Sequence, residues 1–340
     1  MILRSLLLLA LPSLSHFTSA PLDQEYATSL LHSSMSFMDT HYDPSASYLF
    51  SLTSALLHET RSSAWYAAGL LARSTINSTT PSNDVAEATK ILSNIISAQF
   101  TNSSEQWYGD YQVYPEQPSP GTSWYPATIY NTWDPNWRGF IGTTFIVILE
   151  EFPHLLPEEL RARLLESLHL DAVGDTYRVG GVDGDNLYPC YSNAALMHAV
   201  LSSWVGVKTK DANLTAEGDM WAREILELFD RNSTLAEFNS PTYLGVSLFA
   251  LTVGSKYLPS NSTLGREAGR MIGSVWELVG EMYHADMGNL AGPWDRSYGY
   301  DMERYLSIMA LWVWGLVGLE EAPIWGKPAA VVSLSHTHFG

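Results

Sequence analysis

Cysteine is almost missing from this chain: Cys190 is the only one in 340 residues. No internal disulfide can form, so the core must hold the fold alone, which a chain of this length can do. A lone thiol in such a chain is expected to be buried and inert. Positive charge is scarce too, with Lys+Arg 18 against Asp+Glu 36 and a formal charge of −18. That excludes the basic footprint of a nucleic-acid binder. Alternating Val, Ile and Thr runs are nearly absent, which leaves strands little support. There is no uninterrupted apolar stretch of the roughly 20 residues that a membrane-spanning helix needs. Nucleophile elbows, Walker loops, dinucleotide fingerprints and zinc-spaced histidine pairs are lacking, so no cofactor or metal is expected. The Asp183-Gly184-Asp185-Asn186 turn has calcium-loop character without the distal glutamate of an EF-hand.

What is present begins with a secretory pattern. Arg4 supplies a positive start, Ser5 to Leu14 is mostly apolar, and Thr18-Ser19-Ala20 offers a small-residue cleavage site. Five sequons follow, at Asn77, Asn102, Asn213, Asn232 and Asn261, in or beside loops. The expectation is a secreted, extracellular glycoprotein: a signal peptide over 1–20, one domain over 21–325 and a flexible tail over 326–340.

The rest reads as helix after helix, over 24–40, 46–58, 62–74, 84–100, 139–151, 157–169, 192–205, 216–230, 241–257, 264–282 and 300–318. In 84–100 the residues Val85, Ala88, Ile91, Leu92, Ile95 and Ile96 recur at three and four, forming one apolar stripe. The segment 300–318 is apolar nearly all round and is expected to be an inner helix. Unequal loops and about eleven helices predict an all-α protein whose antiparallel hairpins close into an (α/α)6 barrel.

The 12 Trp and 18 Tyr fall often in polar loops, a pattern suited to stacking on sugars or enclosing a small molecule. Three such loops open helices. In the densest, Trp294, Asp295, Arg296, Tyr298 and Asp301 put carboxylates, a guanidinium, a phenol and an indole within eight residues. In the second, Glu237, Asn239 and Tyr243 precede or enter a helix that Pro241 begins, with Asn239 or Ser240 as its cap. The third carries Trp133, Asp134, Asn136, Trp137 and Arg138. A fourth loop places Asp185 and Tyr188 ahead of helix 192–205. Upstream, His58 and Glu59 are a proton-transfer pair or a histidine at a helix C-terminus.

The segments Ser63-Ala64-Trp65-Tyr66-Ala67, Asn136-Trp137-Arg138-Gly139-Phe140-Ile141-Gly142, Glu237 to Gly245 and Ala291 to Met302 resemble fungal secreted proteins of the linalool dehydratase/isomerase-like (α/α)-barrel superfamily. The resemblance spans nearly the whole mature chain and implies the barrel. The family's bacterial dehydratase uses paired cysteines, and with Cys190 alone that chemistry does not carry over.

Three functional expectations compete. The first is acid–base cleavage of a C–O bond, by hydrolysis or elimination, on a carbohydrate. Asp295 and Glu237 would be acid and base, and Tyr243 or Tyr298 a proton carrier. Arg296 and Arg138 would clamp anions, and Trp133, Trp137 and Trp294 would form the sugar platform. The second is a dehydratase or isomerase of a small alcohol. The third is a non-catalytic glycan-binding protein.

Overall fold

The computed structural model describes residues 24–76, 80–287, 289–297 and 308–317. The signal segment, Asn77, Tyr298, Asp301 and the 326–340 tail lie outside the described residues. The described chain is mostly helical, and its residues fall into two compact units. A terminal unit comprises the residues up to Phe37, Pro189–Leu196 and those from Trp221 onward; a central unit comprises Met38–Tyr188 and Met197–Met220.

The chain enters through α1, Gln24–Asp39. The helix expected over 46–58 is instead a small antiparallel sheet of β1 (Tyr42–Asp43), β2 (Tyr48–Phe50) and β3 (His58–Glu59), with Tyr42 opposite Leu49 and Leu49 opposite Glu59. The reason is local. The Asp43 carboxylate accepts from the Ser45 amide at 2.8 Å, and Ser47 takes a positive φ of 56°, which turns the chain back. Strand β2 then sends Leu49 into the core.

In the central unit, α2 (Thr60–Ser74) packs on both α3 (Pro81–Ser97) and α4 (Asn136–Glu151), and α5 (Glu158–Asp175) packs on α3 and α4. Helix α3 buries Ala88, Ile91, Leu92 and Ile95, most of the expected stripe. Helix α4 starts one turn earlier than expected, so Asn136, Trp137 and Arg138 form its first turn. It is buried all round to Ile148. Helix α5 runs six residues past the expected end, carrying Asp171 and Asp175 inward. Gly142 lets α4 come close to it, since a Cβ there would sit 2.6 Å from the Asp171 carboxylate.

Helices α6 (Ser192–Thr209) and α7 (Ala212–Asp230) follow. Asp211, rather than Thr215, caps α7, accepting from the amides of Asn213 and Leu214 at 2.9 and 3.2 Å. In the terminal unit, α8 (Pro241–Tyr257) packs on α9 (Thr263–Met282) and α10 (Ile308–Val317). A two-stranded pair, β4 (Tyr283–His284) and β5 (Asn289–Leu290), follows α9. Helix α8 begins as its sequence predicts, with Pro241 in the first turn and Ser240 accepting from the Tyr243 amide. It buries Leu244, Val246, Leu248, Leu251 and Val253, each worth about 1.5–3 kcal/mol relative to exposure. Helix α10 buries Ile308, Met309, Trp312 and Val313, as expected of an inner helix. Among the described residues, no helix is long and apolar enough to cross a membrane.

Candidate acid–base site

The loop between α7 and α8 carries Glu237 into the terminal unit, where its side chain is buried. Its carboxylate lies against the start of α6. The Asn193 amide donates to it at 3.0 Å and the Asn193 side chain at 3.3 and 3.1 Å. A carboxylate at a helix N-terminus satisfies amides that have no partner within the helix. Those donors pull the Glu237 carboxyl down, yet burial outweighs them and the charge of Asp295 adds to the rise, so the group is pushed up to about 7. The described structure shows no cation paired with it. Asp295, on the exposed side, is also raised, by partial desolvation.

Short-range contacts tie this loop to the one bearing Asp295. The Asp295 amide donates to the Asn239 carbonyl at 3.2 Å, the Asn239 side-chain amide donates to the Pro293 carbonyl, and the Ser240 hydroxyl donates to the Arg296 carbonyl at 3.2 Å. The Asn239 side-chain oxygen is buried and accepts nothing among the described residues. The same unit holds Tyr243, edge-on to Tyr191 at 5.8 Å, half-buried Trp294, whose indole N–H donates to the Leu290 carbonyl, exposed Arg296 and exposed Phe238. Glu237, Asn239, Tyr243, Trp294, Asp295 and Arg296 therefore share one unit.

The third expected loop lies in the central unit and has another role. Trp133 and Trp137 are each 4 % exposed, which leaves no ring face for a sugar. The Arg61 guanidinium covers the Trp137 ring at 4.9 Å. Arg138 is fully buried and donates to the carbonyls of Gln106 and Tyr108 at 2.8–3.1 Å, so it is not placed to clamp a substrate anion. Gly174 makes room for that arrangement, because a Cβ there would sit 1.8 Å from the Tyr108 carbonyl oxygen. Asp134 accepts from the Asn136 amide at 3.0 Å and organises the entry to α4. Asp185 is paired with Arg178 at 2.8–3.2 Å, and the same guanidinium reaches the side-chain oxygen of Asn136 at 3.0 Å. Arg178 also donates to the Asn186 side-chain oxygen at 3.2 Å, and Asp183 accepts from the Gln106 side chain at 2.9 Å. Tyr188 is exposed. His58 pairs with Glu116 and, at 3.3 Å, with Asp43, not with Glu59.

The same unit holds a buried polar network that no sequence motif marks. Ser167, Asp171 and Asp175 recur at four along α5 and share its inner face. Asp175 contacts His198 at 2.7 Å and Arg178 at 3.4 Å, and His198 reaches Glu217 at 3.3 Å. Burial alone would raise Asp175; His198 and the arginines Arg178 and Arg138 outweigh it and hold the carboxyl at about 2. Burial also works to strip the proton from His198, but Asp175 and Glu217 prevail and its affinity for the proton rises. Asp110 and Asp171 are fully buried, with one oxygen of each unpartnered among the described residues. Burial raises both, Asp110 to about 8. The spacing of four was the available signal, but an expected helix end at 169 hid it. Cys190, expected to be buried, is exposed; it sits two residues ahead of α6, beyond the apolar face of that helix.

A protein family described as Domain of unknown function (DUF8769) matches residues 28–339, and the chain belongs to that family. No curated protein and no solved structure matches the chain.

Proposed function

We propose that the protein is a secreted acid–base enzyme that hydrolyses a C–O bond of a carbohydrate, with Glu237 as the proton donor and Asp295 as its ionised partner. The observation that carries this reading is the state of Glu237. It is buried, held by the first amides of α6, raised to about 7, and next to a second, more exposed carboxyl. Two carboxyl groups whose surroundings differ in this way divide into an acid that keeps its proton and a base that has lost it. Trp294 and Phe238 would supply the apolar faces. One carboxyl that keeps its proton and one that is ionised are what hydrolysis needs, and Arg138, taken by backbone carbonyls, is not placed to neutralise a uronate.

Secretion is part of the proposal. Its support is the N-terminal pattern and the exposure of Asn102, Asn213, Asn232 and Asn261, the sequon asparagines among the described residues. The pairwise packing of α2 on α3 and of α8 on α9 supports helical hairpins as the repeating element of an (α/α)6 ring.

The test is the activity of the full chain on neutral and uronic polysaccharides, read both as reducing ends and as absorbance of an unsaturated product. Reducing ends without the chromophore are expected. Glu237→Gln and Asp295→Asn should each lower the rate by about 10²–10⁴. The chromophore would assign a lyase instead, and silence across the panel would overturn the carbohydrate reading.

A further inference from the structure

Trp124 is 94 % exposed, more than any other large apolar side chain described in the molecule. Tryptophan is highly buried on average, so one left almost wholly in water stands apart from the other described indoles of the molecule. Its exposure here is built in. The Gly121 and Thr122 amides donate to the Tyr125 carbonyl at 2.9 and 3.2 Å, and the Tyr125 amide donates to the Thr122 hydroxyl at 3.0 Å. The Tyr125 hydroxyl donates to the Gln117 side chain, and prolines at 118, 120 and 126 stiffen the flanks. Gly121, at φ 96°, lies on the Trp107 ring, where a Cβ would come within 2.9 Å. The turn is thus pinned to the body of the central unit, which keeps the indole at the surface. A pre-ordered turn spares a ligand the entropy cost of ordering a loose loop.

The chemistry around the ring narrows the occupant. From Gln117 to Trp133 no residue is charged or a histidine, in a chain that carries −18 overall. Hydroxyls of Thr122, Ser123 and Thr128 lie exposed nearby in the sequence. An acidic polymer or an anionic lipid surface would be repelled by the whole molecule, and no lysine or arginine in the segment answers it. A flat apolar face in an uncharged, hydroxyl-bearing segment matches a sugar ring.

We propose that Trp124 is a binding platform for a neutral polysaccharide chain, separate from the acid–base pair. The inference goes beyond the catalytic reading, because Trp124 belongs to the central unit and binding is measured without turnover.

The experiment is affinity electrophoresis of the full chain through gels containing hydroxyethyl cellulose, xylan, mixed-linkage β-glucan or, as the acidic control, polygalacturonate. Wild type, Trp124→Ala, Trp124→Phe and Leu56→Ala are compared. Leu56, 90 % exposed on another turn, controls for simple apolar stickiness. Wild type should be retarded in at least one neutral gel. Trp124→Ala should weaken that binding about tenfold, the effect of losing 1.4 kcal/mol; Trp124→Phe should keep most of it, and Leu56→Ala should match wild type. Retardation in no neutral gel, or equal retardation of wild type and Trp124→Ala, would overturn the proposal. Equal losses in Trp124→Ala and Leu56→Ala, together with binding to phosphatidylcholine vesicles, would also overturn it and assign an apolar partner. Turnover in the presence of unchanged Trp124→Ala binding sinks this inference and leaves the catalytic one standing. Trp124-dependent binding without any turnover does the reverse.

Discussion

Asp175 and Glu237 are both buried carboxylic acids, yet their surroundings push them in opposite directions. Asp175 meets His198, Arg178 and Arg138, and holds its charge down to about pH 2. Glu237 meets backbone and amide donors but no described cation, and keeps its proton to about pH 7. Burial penalises a charge in both places; nearby positive charge decides whether the penalty is overcome. The first carboxylate locks a structure whose stakes are high, because removing one member leaves the others charged and dry. The second is poised to give and take a proton near neutrality. Depth of burial alone therefore does not separate structural from chemical groups in this molecule; the partners do.

The largest expected difference between the two is in what a neutral substitution breaks. Asp175→Asn should cost about 3–5 kcal/mol of stability, because His198 and two arginines lose their buried counter-charge. Glu237→Gln should stay within about 1 kcal/mol of wild type, since an amide oxygen still accepts from Asn193. Urea titration of both variants measures the contrast, and equal losses would erase it.

Next comes the pH dependence of activity. Glu237 must be protonated to act as the acid, so kcat/KM should fall as pH rises through about 7. Asp295 must be ionised, so a second fall is expected on the acid side, and Asp295→Asn should abolish that limb. A pH–rate profile with no alkaline limb near 7 would remove Glu237 from the acid role.

Stability should show the same opposition. Asp175 is lowered from its ordinary 3.8 to about 2, so its contribution is present above about pH 3.8 and is lost as pH falls through 2. Asp110 is raised from 3.8 to about 8, so its contribution is complete below 3.8 and is lost as pH rises through 8. Glu237 acts in the same sense as Asp110. Urea midpoints across the pH range should decline toward alkaline pH, with a shallower decline in Asp110→Asn. The smallest expected effect is at Cys190, whose exposure predicts rapid reaction with a thiol reagent in the folded protein and a Cys190→Ser change within about 0.5 kcal/mol.

Signals that act over a few residues were legible in the sequence. Ser240-Pro241 placed the start of α8, and the three-and-four spacing in 84–100 placed the buried stripe of α3. Glu237 and Asp295 could be singled out because each is a carboxylate in an aromatic-polar loop with no local duty. Trp133, Trp137 and Arg138 sit in a loop of the same kind, and nothing local shows that Arg61 covers one ring or that Tyr108 and Gln106 occupy the guanidinium. His198 was hidden for the same reason, as a single polar residue in the apolar run from Ala194 to Leu201. The short sheet that replaces the helix expected over 46–58 rests on one Asx turn and on pairing with residues up to ten positions away, which no local signal shows.

By itself, then, the sequence determined the helical class, the helix starts at caps and prolines, the acidic surface and the residue types available for acid–base work. Tertiary structure alone decided which carboxylates carry cations and which stand without them, and which aromatic rings are covered and which, like Trp124, face water. The physical reason is range. Caps, turns and apolar periodicity act between residues a few positions apart, whereas desolvation and charge pairing depend on groups that only the folded chain brings together.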